Sequence, residues 1–233
     1  MHITIRVTAG AAALLVATTA FAALSKDDVK LLNKSAAALT DLRNAADNGI
    51  PEQIWSKAEC IVVIPSLKKA GFIVGGEFGN GVMSCKQGNK WGPPVFMELT
   101  KGSAGLQAGV QSTELVLVVM NRSGVEKLLK NKVTLGGDAS VAAGPIGRGA
   151  SAATDAQMTA EMLSYSRAKG LFAGIDLSGG TLKPDGSANA RAYGAGVSAR
   201  DIAMRTASVQ MPAEAKGFGD ALSRNVQGTS GVK

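Results

Sequence analysis

One histidine, His2, stands in the whole chain, and it sits at the extreme N-terminus. Imidazole is the commonest general base and zinc ligand near neutral pH, so its scarcity disfavours triad hydrolases and zinc enzymes. Cysteine is nearly as rare, with Cys60 and Cys85 alone. Two thiols without histidine would need carboxylates to complete a zinc site. Outside the cytosol an isolated pair points to a disulfide, provided the fold brings the two together. Aromatic residues are 4% of the chain, too few for the stacking platforms that single-stranded nucleic acid requires. No nucleic-acid reader motif is present, and charged residues are only 18% against 45% hydrophobic, which excludes wholesale disorder.

What the chain does have begins with its leader. "MHITIRVTAGAAALLVATTAFAALS" places Arg6 before an uncharged run and ends in Ala20-Phe21-Ala22. That is the grammar of a cleaved secretory signal over residues 1–22, shorter and weaker than the roughly 20 apolar residues of a spanning helix. The mature chain is expected to start near Ala23, in the periplasm or secreted. Lys and Arg number 25 against 18 Asp and Glu, a net charge of +7.

Residues 25–48 have the period of an amphipathic helix. Ser25 is the expected N-cap, Asp27 and Asp28 favour the first turn, and Val29, Leu32, Ala36 and Leu39 form a stripe widened by Leu31 and Leu42. A short helix is expected from Pro51. From Cys60 onward short β-branched runs follow one another, "CIVVI", "GFIVGG", "GVMSC", "VFMEL" and "ELVLVVM", separated by Gly, Pro and Asn. "RSGVEKLLKNK" interrupts as a helix with Val125, Leu128 and Leu129 inward and its lysines outward. "VTLGGDASVAAG", "EMLSYSRAKG", "LFAGIDL" and "NARAYG" read as strand, "KPDGS" as a turn, and "SARDIAMR" and "MPAEAKGFGDALSR" as closing helices. Glycines recur where strands must bend. The predicted class is α+β: a strongly bent antiparallel sheet or partial β-barrel with surrounding helices. One domain is expected over 23–224, with a flexible tail over 225–233.

Three catalytic motifs fail on inspection. "AAGPIGRGASAATD" lacks the Gly-Lys-Ser/Thr of a phosphate-binding loop, since Arg148 is followed by Gly149 and Ala150, so it reads as a Gly-Pro bend. "SLKK", Ser66 to Lys69, matches S-x-x-K, but Ser66 follows Pro65 in what reads as a strand-to-strand connection. Glu77, Glu98, Asp138, Asp176 and Asp185 are scattered, and turn or cap roles explain them more simply than a paired-carboxylate site. No enzyme, cofactor, nucleotide or metal is expected.

The basic positions are the broadest signal. Lys26, Lys30 and Lys34 recur along one helix face, Lys127, Lys130 and Lys132 along another. Lys68, Lys69, Arg148, Arg167 and Lys169 fall beside turns. An anionic bilayer attracts each such charge by about 1 kcal/mol when it lies close to the surface. Spread evenly, the same charges would only keep the protein in solution.

"CIVVIPSLKKAGFIVGGEFGNGVMSC", "WGPPVFMELTKGSAGLQAGVQSTELVLVVMN", "LGGDASVAAGPIGR" and "SYSRAKGLFAGIDLSGGTLKPDGSANARAYG" together resemble the SYLF domain family over about Ser25 to Arg224. The matching positions, among them Pro65, Gly79, Gly81, Gly136, Asp138, Tyr165, Asp185 and Tyr193, are mostly glycines and turn residues. The resemblance implies lipid binding, for eukaryotic members to phosphoinositide membranes through a basic surface and an N-terminal amphipathic helix. It also links yeast members to actin. Export separates this chain from cytoplasmic actin, and in a bacterial envelope phosphatidylglycerol or cardiolipin replaces the phosphoinositides. The expected function is therefore non-enzymatic binding of anionic phospholipid membranes through a basic surface and the N-terminal amphipathic helix. The alternative is a structural or interaction protein of the envelope, its first helix packed permanently on the sheet.

Overall fold

The computed structural model describes residues 23–44, 49–71, 74–104, 111–145, 159–168, 171–204 and 209–226. The signal sequence, Arg148 and Lys169 lie outside them. Helix α1 (Lys26–Asn44) and α2 (Glu52–Lys57) lead into the hairpin β1 (Cys60–Gly71) and β2 (Val74–Gln87), then β3 (Lys90–Trp91), β4 (Val95–Ala104) and β5 (Gln111–Val119). Next come α3 (Arg122–Leu128), β6 (Val133–Thr134), β7 (Val141–Ala143), β8 (Met162–Ala168), β9 (Leu171–Gly174) and β10 (Thr181–Pro184). Helices α4 (Gly186–Tyr193), α5 (Ala199–Met204) and α6 (Lys216–Val226) close the described chain.

The strands form one sheet in the order β6-β10-β4-β2-β1-β5-β8-β7, with β3 beside β2 and β9 beside β8. Pairing is antiparallel except between β7 and β8. The sheet is strongly curled yet open, a half-barrel, as the bent-sheet reading anticipates. Alternation along the central strands feeds two cores. Ile61, Val63, Val116 and Val118 pack with Leu32, Leu39, Trp55, Phe218 and Leu222 from α1, α2 and α6. Cys60, Val62, Ile64, Leu115, Leu117 and Val119 pack with Val125 and Leu128 of α3 and Ile202 of α5 on the other side. A strand covered on both faces reads as a continuous apolar run, which is why "CIVVI" and "ELVLVV" show so little polar alternation. Cys60 and Cys85 face each other across β1 and β2 and are bonded.

Among the described residues, one strand irregularity stands beside the candidate site. Between Val63 and Lys68, β1 uses one residue more than either neighbour, giving a bulge at Pro65–Ser66. Proline has no N–H to give the ladder, so it tolerates that position. The opposing β2 carries Gly79 and Gly81, where a Cβ would lie 2.6 Å from Ile64 Cγ2 and 2.5 Å from the Val63 carbonyl oxygen. Only glycine lets the two backbones approach so closely there. Ser66 therefore lies inside a twelve-residue strand, not in the inter-strand connection expected from Pro65.

Two further expectations change. "NARAYG" is helical: Asp185, read as a turn residue, is instead the N-cap of α4, its Oδ1 accepting from Ala188 N at 2.9 Å. Buried Asn189 then ties that helix to β4, accepting from Phe96 N and donating to Phe96 O. "VTLGGDASVAAG" is broken by a turn in which Gly136 has φ +80° and Asp138 Oδ2 accepts from Thr134 N at 2.8 Å. At the C-terminus α6 runs to Val226, and buried Asn225 donates to the Leu39 carbonyl at 3.0 Å; residues 227–233 of the expected tail lie outside the described residues.

Candidate functional site

The N-terminus of α1 is fixed before its lysines are placed. Asp28 N donates to Ser25 Oγ at 3.1 Å while Ser25 N donates to Asp28 Oδ2 at 3.0 Å, a reciprocal cap. Arg191 of α4 grips the same carboxylate with Nε and Nη2 at 2.8 and 2.9 Å. The Arg191 guanidinium, helped by Ser25, holds the Asp28 carboxyl below the usual carboxylate range despite its burial. Leu32, Leu39 and Leu42 are fully buried and Leu31 partly so, which leaves Lys26, Lys30 and Lys34 on the exposed face.

An open cleft of about 670 Å³ lies between this half of α1 and the shoulder of the β1–β2 hairpin. Lys30 and Lys34 line it from the helix, Pro65, Ser66 and Lys68 from β1, and Phe78, Gly79 and Asn80 from β2. The bulge decides the third lysine. One extra residue at Pro65–Ser66 turns Lys68 onto the α1 side, opposite Phe78; without it the side chain would point to the other face. Lys30, Lys34 and Lys68 have no ion-pair partner among the described residues. Of the three carboxylates in the lining, Asp28 is paired with Arg191 and Asp185 caps α4, leaving Asp27 at the rim. Lys68 Nζ lies 5.9 Å from the centroid of the Phe78 ring.

The other candidate cations are placed differently. Lys127, expected to point outward, is half-buried and donates to Glu161 Oε2 at 2.7 Å. Glu161 also accepts from Ser123 Oγ and from Ser140 N at 2.9 Å. Burial pushes that carboxyl up, but the lysine, the hydroxyl and the amide outweigh it and hold the pKa at about 2. Lys130 and Lys132 are exposed just beyond α3, which packs on the sheet face opposite α1. Lys69 pairs with Glu77 at 3.8 Å, and Arg167 Nη1 reaches Asp41 at 2.6 Å and Glu114 at 3.1 Å. Among the described residues the expected basic positions thus do not all share one face. Lys30, Lys34 and Lys68 converge; the Lys127 group lies on the opposite side.

The scattered carboxylates have local partners. Glu98 pairs with Lys183 at 2.9 Å and Asp176 accepts from Ser178 N at 2.8 Å. Among the described residues, no group of three or more His, Cys, Asp or Glu could hold a metal, and no helix is long and apolar enough to cross a membrane. Phe78 was missed in the sequence. Its signal is a lone aromatic set among glycines in "GEFGNG", where neighbouring side chains cannot cover it.

Comparison with known proteins gives a consistent result. Residues 100–225, more than half of the chain, match the family described as "Ysc84: Las17-binding protein actin regulator". LAS seventeen-binding protein 3 of Saccharomyces cerevisiae is 34% identical over 161 residues, covering 67% of this chain and 35% of its own. Protein YSC84 of the same yeast is 34% identical over 153 residues, 64% of this chain and 32% of its own. SH3 domain-containing YSC84-like protein 1 of Rattus norvegicus is 31% identical over 183 residues, 78% of this chain and 53% of its own. The chain spans about a third to a half of the length of these relatives, the first of which is named as a binding protein.

Proposed function

Because this chain belongs to the Ysc84 (SYLF-domain) family, we propose that it is a binding protein whose target is an anionic phospholipid surface, met by the lysines around the α1 cleft. One observation carries the reading: Lys30, Lys34 and Lys68 surround one open cleft and form no ion pair among the described residues, with Asp27 the one lining carboxylate not engaged elsewhere. Lysines held near a bilayer by a rigid scaffold attract its anionic headgroups additively. The apolar stripe of α1 is buried, so the helix contributes its lysine face and stays on the sheet. Export through residues 1–22 belongs to the same proposal and makes phosphatidylglycerol or cardiolipin the anionic lipid.

Co-sedimentation with vesicles tests it. Binding to phosphatidylglycerol vesicles, absent on phosphatidylcholine and lost between low and high salt, is the expected result. Equal binding to both vesicles, or binding indifferent to salt, would overturn it. N-terminal sequencing of the exported protein is expected to start near Ala23.

The burial of Leu32, Leu39 and Leu42 also favours a second reading, a protein-binding role without lipid. The family description names binding to Las17 and regulation of actin. Retention of a protein partner by a chain that ignores anionic vesicles would select it.

A further inference from the structure

Phe78 is one of two large hydrophobic side chains exposed among the described residues, at 51%. The other, Met204, lies at the end of α5, away from the cleft. Phe78 is held out by regular structure, not by a loose loop: β2 pairs with β1 on one side and β4 on the other, opposite Lys68 and Thr100. Strand alternation puts it on the same face as Val82, which is fully buried under the helices. The cover simply stops where the cleft begins. An aromatic ring rimmed by unpaired lysines matches the two layers of a bilayer edge, phosphate outside and hydrocarbon within.

We propose that Phe78 is the hydrophobic anchor of the cleft, inserting below the headgroups of an anionic phospholipid bilayer while Lys30, Lys34 and Lys68 hold the phosphates above it. The proposal rests on the phospholipid reading and adds a depth and a residue to it. In water the Lys68 ammonium lies over the Phe78 ring. On the membrane the phosphate takes that ammonium and the ring turns to the acyl chains, so the cation–π contact is exchanged for two better-matched environments.

The two native tryptophans make the test clean. Trp55 and Trp91 are 3% and 8% exposed, so both are shielded from lipid. F78W therefore places the one exposed tryptophan among the described residues at the proposed anchor. With phosphatidylglycerol vesicles carrying brominated acyl chains, F78W emission is expected to be quenched and wild-type emission left unchanged. F78A is expected to bind the same vesicles about tenfold more weakly, with an unchanged melting midpoint because the ring packs little in the free protein. A F78W protein that co-sediments without quenching, or F78A binding as tightly as wild type, overturns the anchor and leaves the phospholipid reading standing. Failure of the wild type to sediment overturns both. A concentration-dependent dimer that F78A abolishes, without quenching of F78W, assigns the ring to a second copy of this chain and overturns the anchor.

Discussion

Helices α1 and α3 carry the same sequence signal and end in opposite electrostatic states. Each presents lysines beside an apolar stripe. On α3, Glu161 reaches across from the segment before β8 and takes Lys127, with Ser123 and Ser140 completing its hydrogen bonds. On α1 Arg191 occupies Asp28, and Asp27 makes no ion pair with a cleft lysine among the described residues, so Lys30 and Lys34 stay unpaired and Lys68 joins them from β1. A lysine is available to a partner only when the fold has given its neighbours something else to do. The count of positive residues carries no such information.

The comparison can be broken by charge. Replacing Lys30, Lys34 and Lys68 together by alanine is expected to weaken phosphatidylglycerol-vesicle binding by roughly 3 kcal/mol, over a hundredfold. K130A/K132A, which removes exposed lysines from the opposite side, is expected to change it less than about threefold. Equal losses from the two sets would erase the difference between the faces.

Removing the carboxylate that neutralises α3 sharpens it. E161A strands the Lys127 ammonium and the Ser140 amide, and urea denaturation is expected to show a loss of roughly 1–3 kcal/mol with vesicle binding retained. The pH dependence follows from the depressed pKa. Glu161 is near 2 when folded against a usual 4.5, so its stabilisation is complete above 4.5 and is lost as pH falls towards 2. E161Q is expected to flatten that part of the acid denaturation curve.

The same sign holds for Asp28 on the α1 side. Its folded carboxyl lies below its usual 3.8, so the stabilisation is present above that value and disappears at lower pH. D28N is expected to cost on the order of 1 kcal/mol, because Arg191 is partly exposed. It should also weaken vesicle binding modestly, by loosening the end of α1 that presents Lys30. The smallest effect belongs to K69A. Lys69 and Glu77 form a long, half-buried contact, and its loss is expected to stay within about 0.5 kcal/mol in thermal denaturation.

Much of the scaffold could be read residue by residue. Ser25 and Asp28 announce the start of α1, and Val125, Leu128 and Leu129 define the inner side of α3 correctly. The β-branched runs mark the strands, and the glycines mark the bend, because a missing Cβ is a local property with a local consequence. The failures share a cause. "NARAYG" holds the helix formers Ala and Arg, but its cap at Asp185 sits in the "KPDGS" read as a turn, and the grip of Asn189 on Phe96, 93 residues away, exists only in the fold. Lys127 meets a carboxylate 34 residues further on, and Asp28 meets an arginine 163 residues further on.

The sequence alone determined the class of the fold, the amphipathic first helix, the two cysteines and an excess of positive charge, since period, capping and composition act within a few residues. The tertiary structure decided which cations stay unpaired and that an aromatic ring stands among them. A bulge at Pro65–Ser66 sets the direction of Lys68, and pairing between distant segments removes Lys127 and Asp28 from the account. Charge attracts over distance, but neutralisation requires contact, and contact between remote residues exists only once the chain has folded.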